Sequence, residues 1–148
     1  MIDYDLLCRE IGALSRGGSN WVGLLANAAA VIKEESRWFW VGFYIVNGDR
    51  LELGPFQGPL ACMSIPFGKG VCGAAWKSGK TLIVPDVERF PGHIACSSLS
   101  KSEIVVPIIK DGEVKAVLDI DSTELDTFTS RDALGLERIC AILADNAF

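Results

Sequence analysis

Long apolar runs and basic clusters are both absent from this chain. No stretch approaches the roughly 20 apolar residues that a membrane-spanning helix needs. No run of Lys and Arg supplies the positive charge that binding to a phosphate backbone requires. The formal net charge is -5, and the first residues are acidic where a signal peptide would be basic. We therefore expect no membrane partner, no nucleic-acid partner and a cytoplasmic location.

Paired metal ligands are missing too. His93 is the one histidine, and no two cysteines form a Cys-x-x-Cys pair. A zinc site made of three cysteines and this histidine would therefore have unusual ligand spacing, and we expect no metal centre. The cysteines number five, which is odd, and no export signal is seen, so structural disulfides are not expected. Cys8 and Cys140 lie in apolar helical patterns and are expected to be inert.

The composition is that of a globular protein. Hydrophobic residues make up 49% and charged residues 22%. We expect one domain over residues 1–148, with a full core. Apolar spacing and cap residues predict helices at 3–15, from the N-cap Ser19 to residue 35, at 70–78, and from the N-cap Thr129 to residue 146.

Strands alternate with turn signals in the middle of the chain. They are predicted at 38–46, 50–53, 60–65, 81–84, 103–109 and 114–121. Asn47-Gly48 and residues 110–113 predict hairpin turns, so the strands on either side of each turn are expected to be antiparallel. Residues 85–102 show little pattern, and a loop this long in a compact domain is usually functional. The order predicts an α+β fold, an antiparallel β-sheet with helices packed on one face.

Two strands carry candidate ligand-binding side chains. Alternation divides the first strand into an apolar core face and a face bearing Trp40 and Tyr44, with Gly42 leaving space between them. The core set is Phe39, Val41, Phe43 and Ile45; the other is Trp38, Trp40, Gly42, Tyr44 and Val46. Asp119 and Asp121 share one face and are unfavourable neighbours unless a cation lies between them. Together these side chains suit an amino acid such as methionine or its oxide; the alternatives are ordinary aromatic packing and solvated acids.

Thiol chemistry is indicated between residues 62 and 103. Cys72 and Cys96 lie in helix-start or Gly-rich irregular contexts, which are typical of accessible, reactive thiols. His93, three residues before Cys96, either lowers the pKa of that thiol or serves the loop through hydrogen bonds. Glu103 begins a strand that soon turns apolar. A partly desolvated carboxyl there would stay protonated and suit a general acid; the alternative is a surface glutamate.

Five segments, in this order, resemble the free methionine-(R)-sulfoxide reductases, which are small single-domain proteins of the GAF fold. They are FGKGVCG at 67–73, VPDV at 84–87, PGHIAC at 91–96, SEIVVP at 102–107 and LDIDS at 118–122. The resemblance covers nearly the whole chain. It implies a GAF domain over 1–148 in which a loop and a short helix cover the ligand pocket on the face of the sheet opposite the other helices.

The resemblance implies a thiol-dependent enzyme that reduces free L-methionine-(R)-sulfoxide. Cys96 would be the nucleophile, and Glu103 would engage the sulfoxide oxygen. Cys62, with Cys72 as the second choice, would resolve the resulting sulfenic acid into a disulfide. Thioredoxin, which receives its electrons indirectly from NADPH, would reduce that disulfide. No tightly bound cofactor is expected.

The same resemblance implies roles for the four pocket residues. Trp40 and Tyr44 would surround the methyl end of the substrate, while Asp119 and Asp121 would hold its amino group. Ser97 departs from the family, which commonly has Asp directly after the nucleophile. A homodimer is expected, as is common for soluble proteins. Two other functions fit a GAF fold with cysteines: a ligand-binding or redox-sensing module, and a cysteine-based peroxidase.

Overall fold

Two hairpins form the centre of the structure, a computed structural model that describes residues 1–148. The strands are β1 Trp40–Asn47, β2 Arg50–Gln57, β3 Ser64–Pro66, β4 Leu82–Val84, β5 Ser102–Lys110 and β6 Glu113–Ser122. They form one antiparallel sheet in the order β3-β2-β1-β6-β5-β4, so β1 and β6 join the two hairpins and both edge strands have three residues. In the β5–β6 turn, Asp111 and Gly112 have positive φ values of 53° and 79°, as a tight two-residue hairpin turn requires.

The helices divide between the two faces of the sheet. They are α1 Tyr4–Ser15, α2 Trp21–Ser36, α3 Gly70–Ser78 and α4 Ser130–Ala147, with a single 3-10 turn at Val87–Arg89. α1, α2 and α4 build the larger apolar cluster on one face, whereas α3 contributes to the smaller cluster on the other. The predicted α+β architecture is therefore confirmed. None of the helices combines the length and apolar character needed to cross a bilayer.

A buried polar contact ties α1 to α4. Thr129 caps α4, and its hydroxyl and backbone N–H both face the carboxylate of Asp132. The same carboxylate accepts a 2.6 Å hydrogen bond from the hydroxyl of Tyr4. Gly135 lies under the Tyr4 ring, where an added Cβ would collide with it. The two ends of the chain are thus held together behind the sheet.

Three predicted boundaries are wrong. The N-cap of α2 is Asn20 rather than Ser19, because the Asn20 side chain reaches the N–H of Gly23 at 3.0 Å. The strand expected at 60–65 is instead an irregular loop at 58–63 followed by the short β3. The loop begins at Gly58, whose φ of 139° does not continue a strand. β2 is correspondingly longer than expected and ends at Gln57.

The predicted alternation of the first strand holds from Trp40 onward but reverses before it. Trp38 packs against the α-helical cluster, with its ring 5.0 Å from that of Phe128. Phe39 packs with the opposite cluster instead. Both residues precede the start of β1, so the two-residue period of the pleated strand does not apply to them.

Candidate active site

A cavity lies between the sheet and the layer formed by α3 and the loops. Trp40 and Tyr44 reach it from β1, and Glu103 from β5. Asp119 and Asp121 reach it from β6. The structure therefore brings the residues predicted from separate strands into one wall.

Strand pairing places the three acids side by side. Asp121 pairs with Trp40 on one side and with Glu103 on the other. Asp119 pairs with Gly42 and stands two residues from Asp121, on the same face. Directly paired residues lie about 5 Å apart across a sheet. The carboxyl groups are thus neighbours although Glu103 is 16 residues from Asp119 in the chain.

Burial and mutual repulsion raise the pKa values of these acids. Burial raises the pKa of Glu103 well above its usual range, and the charges of Asp119 and Asp121 raise it further. Burial and Asp119 raise the pKa of Asp121 in the same way. Burial raises the pKa of Asp119 too, but contacts with Glu103 and Cys72 oppose the change. These contacts therefore favour the ionised form of Asp119.

The acidic wall has one unsatisfied acceptor. Oδ1 of Asp119 is buried without a hydrogen-bond partner, and no Lys or Arg lines the cavity. A buried carboxylate oxygen normally accepts a hydrogen bond, so this atom can accept one from a ligand. Ligand atoms of Cys72, Glu103 and Asp119 lie within 4.8 Å of one another and are the groups that could surround a cation, including a substrate ammonium.

Cys72 is not the accessible thiol that its helix-start position predicted. It is 4% exposed, and burial raises the pKa of its thiol well above the usual value, with further contributions from the charges of Asp119, Glu103 and Asp121. A helix N-terminus normally lowers a thiol pKa, but desolvation and three acids outweigh that effect here. Cys72 is therefore a neutral thiol in the wall of the cavity.

Cys62 and Cys96 form a disulfide at the cavity. Their Cα atoms are 5.4 Å apart across a sequence separation of 34 residues. Cys96 is exposed and Cys62 is partly buried, and Cys96 also lines the cavity. The expected inert thiols lie elsewhere: Cys140 is buried, Cys8 is partly buried, and burial raises the pKa of both. The structure thus pairs the two cysteines that the family resemblance singled out.

Two aromatic side chains hold the loop that carries Cys62. The indole Nε1 of Trp40 donates a 3.0 Å hydrogen bond to the carbonyl of Pro59. The hydroxyl of Tyr44 donates a 2.9 Å hydrogen bond to the carbonyl of Cys62 itself. The two rings are stacked with their centroids 6.1 Å apart. The pair therefore faces the loop as well as the cavity.

The space expected above Gly42 is already filled. A Cβ on this residue would collide with the Trp40 ring and with Cβ of Phe56. Because glycine has no side chain, the indole of Trp40 can lie against the strand. It also stacks on the Phe56 ring there, with the ring centroids 5.3 Å apart. The prediction that Gly42 leaves room for a ligand is wrong in this respect, because the tryptophan two residues earlier uses that room.

The segment around Cys96 is shaped by local hydrogen bonds. The N–H of His93 donates to the carbonyl of Phe90 at 3.1 Å, and its side chain lines the cavity. Ser97, in the place of the family's usual Asp, accepts a 3.2 Å hydrogen bond from the N–H of Leu99. A serine hydroxyl can stabilise such a turn as an aspartate does, without adding a charge beside Cys96.

The start of α3, from which the sequence predicted only Cys72 as a site residue, also brings Gly70 and Val71 to the cavity. The N–H of Gly73 donates to Lys69, so it makes the first helical hydrogen bond. The preceding N–H groups of Val71 and Cys72 have no partner within the helix. Both residues line the cavity, where the positive end of the helix favours an anion. Gly70 has a φ of 61°, a value that favours glycine. In the sequence, this glycine is therefore the residue that indicates a tight turn before α3.

Relatives match nearly the whole chain. The GAF domain family matches residues 19–146. GAF domain-containing protein A of Dictyostelium discoideum is 53% identical over 95% of this chain and 89% of its own. The free methionine-R-sulfoxide reductase of Escherichia coli is 43% identical over 95% and 86%. The X-ray structure of free methionine-R-sulfoxide reductase from Neisseria meningitidis, in complex with its substrate, aligns with a TM-score of 0.94 and 52% identity, covering 97% of this chain and 87% of that one.

Proposed function

Because this chain belongs to the GAF domain family, and within it to the free methionine-R-sulfoxide reductases, we propose that it reduces free L-methionine-(R)-sulfoxide to L-methionine. The observation that carries the proposal is the Cys62–Cys96 disulfide beside a cavity lined by Glu103, Asp119 and Asp121. A disulfide there is the expected oxidised product of turnover. The test is release of methionine from each sulfoxide epimer with a dithiol as reductant; a protein that turns over neither epimer contradicts the proposal.

The chemistry needs a nucleophile, an acid and a second thiol. The Cys96 thiolate attacks the sulfoxide sulfur while protonated Glu103 gives its proton to the oxygen. The sulfoxide S–O bond breaks as the protonated oxygen is transferred to the Cys96 sulfur, which becomes a sulfenic acid, and methionine leaves with its sulfur reduced. Cys62 then attacks that sulfur, the S–S bond forms, and the oxygen departs as water. The raised pKa of Glu103 supports its role, because burial and the neighbouring charges favour the protonated form that a general acid needs.

Both ends of a free amino acid find complementary groups. The ammonium group would face Asp119, whose Oδ1 lacks a donor, and Asp121 beside it. The carboxylate would face the free N–H groups of Val71 and Cys72. The methyl end would lie against the aromatic rings of β1, Trp40 and Tyr44. Cys72 would line the pocket and act as the lesser resolving thiol, because its pKa is raised by burial.

N-Acetylation of the substrate is expected to lower kcat/KM by about 10²-fold or more, because the ammonium charge is lost and a buried acceptor stays unpaired. Peptide-bound methionine sulfoxide should be excluded for the same reason. The measurement compares methionine-(R)-sulfoxide with its N-acetyl derivative under one reductant. Equal rates for the two would contradict the assignment of Asp119 and Asp121.

Cys62→Ser is expected to release about one methionine per enzyme and then stall, because the sulfenic acid on Cys96 has lost its main partner. Steady turnover should fall about tenfold or more, to the rate at which external thiols reach Cys96. Rapid-quench counting of methionine, with a 1,3-dione to trap the sulfenic acid, measures both. Cys8→Ser, a thiol outside the cavity, is the control. Undiminished steady turnover would show that Cys62 is not the resolving thiol.

The reductant and the assembly complete the proposal. The disulfide needs a two-electron donor, and a thioredoxin with its low potential is suited to the task, with NADPH as the indirect source. Cys96 is exposed, which supports attack by another protein. We expect a single GAF domain over 1–148, working in the cytoplasm as a symmetric dimer. Assay with purified thioredoxin and measurement of solution mass test these two points.

A further inference from the structure

We propose that Trp40 and Tyr44 are positioning residues that hold the 58–63 loop so that the Cys62 sulfur lies within bonding distance of Cys96. This role is separate from any contact they make with substrate. It rests on the proposed function only in treating Cys62 as the resolving thiol, since the disulfide itself is present in the structure.

The loop depends on these two side chains for its order. Residues 58–62 make no backbone-to-backbone hydrogen bond, and the next one along the chain joins the carbonyl of Met63 to Leu53. The two carbonyls that are bonded within the loop, at Pro59 and Cys62, are those reached by Trp40 and Tyr44. In the reduced protein, without these two bonds, only the strand ends and the packing of Ala61 and Cys62 on the smaller apolar cluster would restrain a loop whose apex, Leu60, is 90% exposed.

The geometry holds the indole itself in a single orientation. On one side Gly42 lets the ring lie against β1, since a Cβ there would collide with it. On the other side Gly58 approaches so closely that an added Cβ would lie 2.6 Å from Cδ1 of Trp40. Phe56 stacks on the same ring. Because the ring is already confined, its Nε1 can donate to the Pro59 carbonyl at little additional cost in side-chain conformational entropy.

Tyr44 acts at the cysteine rather than at the start of the loop. Its side chain is 1% exposed, and burial raises the pKa of its phenol, so it remains a neutral donor. The bond to the Cys62 carbonyl fixes the backbone from which the sulfur extends. A restrained loop keeps the effective concentration of one thiol near the other high. Loosening it should therefore disfavour closure of the disulfide.

The test measures the thiol–disulfide equilibrium between the protein and dithiothreitol, with no sulfoxide present. In this exchange the protein dithiol is oxidised to the Cys62–Cys96 disulfide while the cyclic disulfide of dithiothreitol is reduced. Removing one hydrogen bond to the loop, as in Tyr44→Phe or Trp40→Phe, should shift the equilibrium constant about fivefold toward the dithiol. The double variant should shift it further than either.

Two matched controls separate positioning from general stability. Tyr4→Phe removes the other buried tyrosine hydroxyl bond, to Asp132, and Trp21→Phe alters an exposed tryptophan. Both should leave the equilibrium constant within about twofold of wild type even if the melting temperature changes. Loop-facing variants that also stay within twofold while folded would overturn the proposal.

A third variant covers the case in which the aromatic replacements fail to fold. Gly58→Ala leaves both rings in place but puts a Cβ against Trp40 at a φ of 139°, which strains any L side chain. It should push the loop away from the indole and again shift the equilibrium about fivefold toward the dithiol. An unchanged constant would contradict the proposal. Because no sulfoxide is used, failure here leaves the proposed reductase activity untouched.

Discussion

Replacing Cys96 by serine is expected to abolish reduction of free methionine-(R)-sulfoxide, with kcat/KM falling by about 10⁴-fold or more. A hydroxyl at this position is hardly ionised at neutral pH and cannot pass through a sulfenic acid. The structure sharpens the expectation, because Cys72 is the one other thiol in the cavity wall and burial raises its pKa well above the usual value. That thiol cannot replace the missing nucleophile.

The experiment compares Cys96→Ser with Cys8→Ser under a thioredoxin system, and intact mass before and after substrate follows the loss of two hydrogens. The control should keep wild-type turnover and form the disulfide. Hydrogen peroxide, offered as an alternative substrate with the same reductant, separates a sulfoxide reductase from a peroxidase. Retained turnover in the serine variant would show that Cys96 is not the nucleophile. A preference for peroxide over the sulfoxide would show that the protein is a peroxidase.

Glu103→Gln is the second change with a large expected effect, a fall in kcat of about 10²- to 10⁴-fold. The amide is nearly isosteric but has no proton to give to the sulfoxide oxygen. The protein should fold normally, because neutral glutamine resembles the protonated acid that burial and neighbouring charges favour. Glu88→Gln, an exposed change in the 3-10 turn, is the matched control. Single-turnover release of methionine measures the chemical step directly.

The pH profile gives this prediction a second readout. An acid whose pKa is raised in the folded protein is active below that pKa and loses activity as pH rises through it. The wild-type rate should therefore fall at high pH as Glu103 loses its proton through its raised pKa. In Glu103→Gln the high-pH limb should vanish. A glutamine variant with unchanged rate and an unchanged limb would show that Glu103 is not the acid.

Much of the fold is encoded locally and was predictable. Turn chemistry at Asn47-Gly48 and Asp111-Gly112 marked both central hairpins, and the cap Thr129 marked α4. The acids on β6 shared a face because a strand has a period of two. These features depend on residues that are close in sequence, where pattern and propensity decide the outcome.

The remainder depends on contacts between distant residues. A strand was predicted over 60–65, because nothing in that segment reveals that Trp40 and Tyr44 bind the carbonyls of the loop before Ser64. Cys72 was expected to be reactive, since its helix position is visible in sequence whereas its burial is not. The space at Gly42 was recognised but assigned to a ligand instead of the neighbouring indole. Only tertiary structure distinguishes these alternatives.

The short outer strands bear on how this protein behaves at high concentration. β3 and β4 have three residues each, and β3 ends at Pro66, which has no N–H to donate. The rims of the sheet thus expose too few free backbone groups to recruit a strand from another molecule. Both rims therefore disfavour self-association by strand addition, the first step of many fibrils.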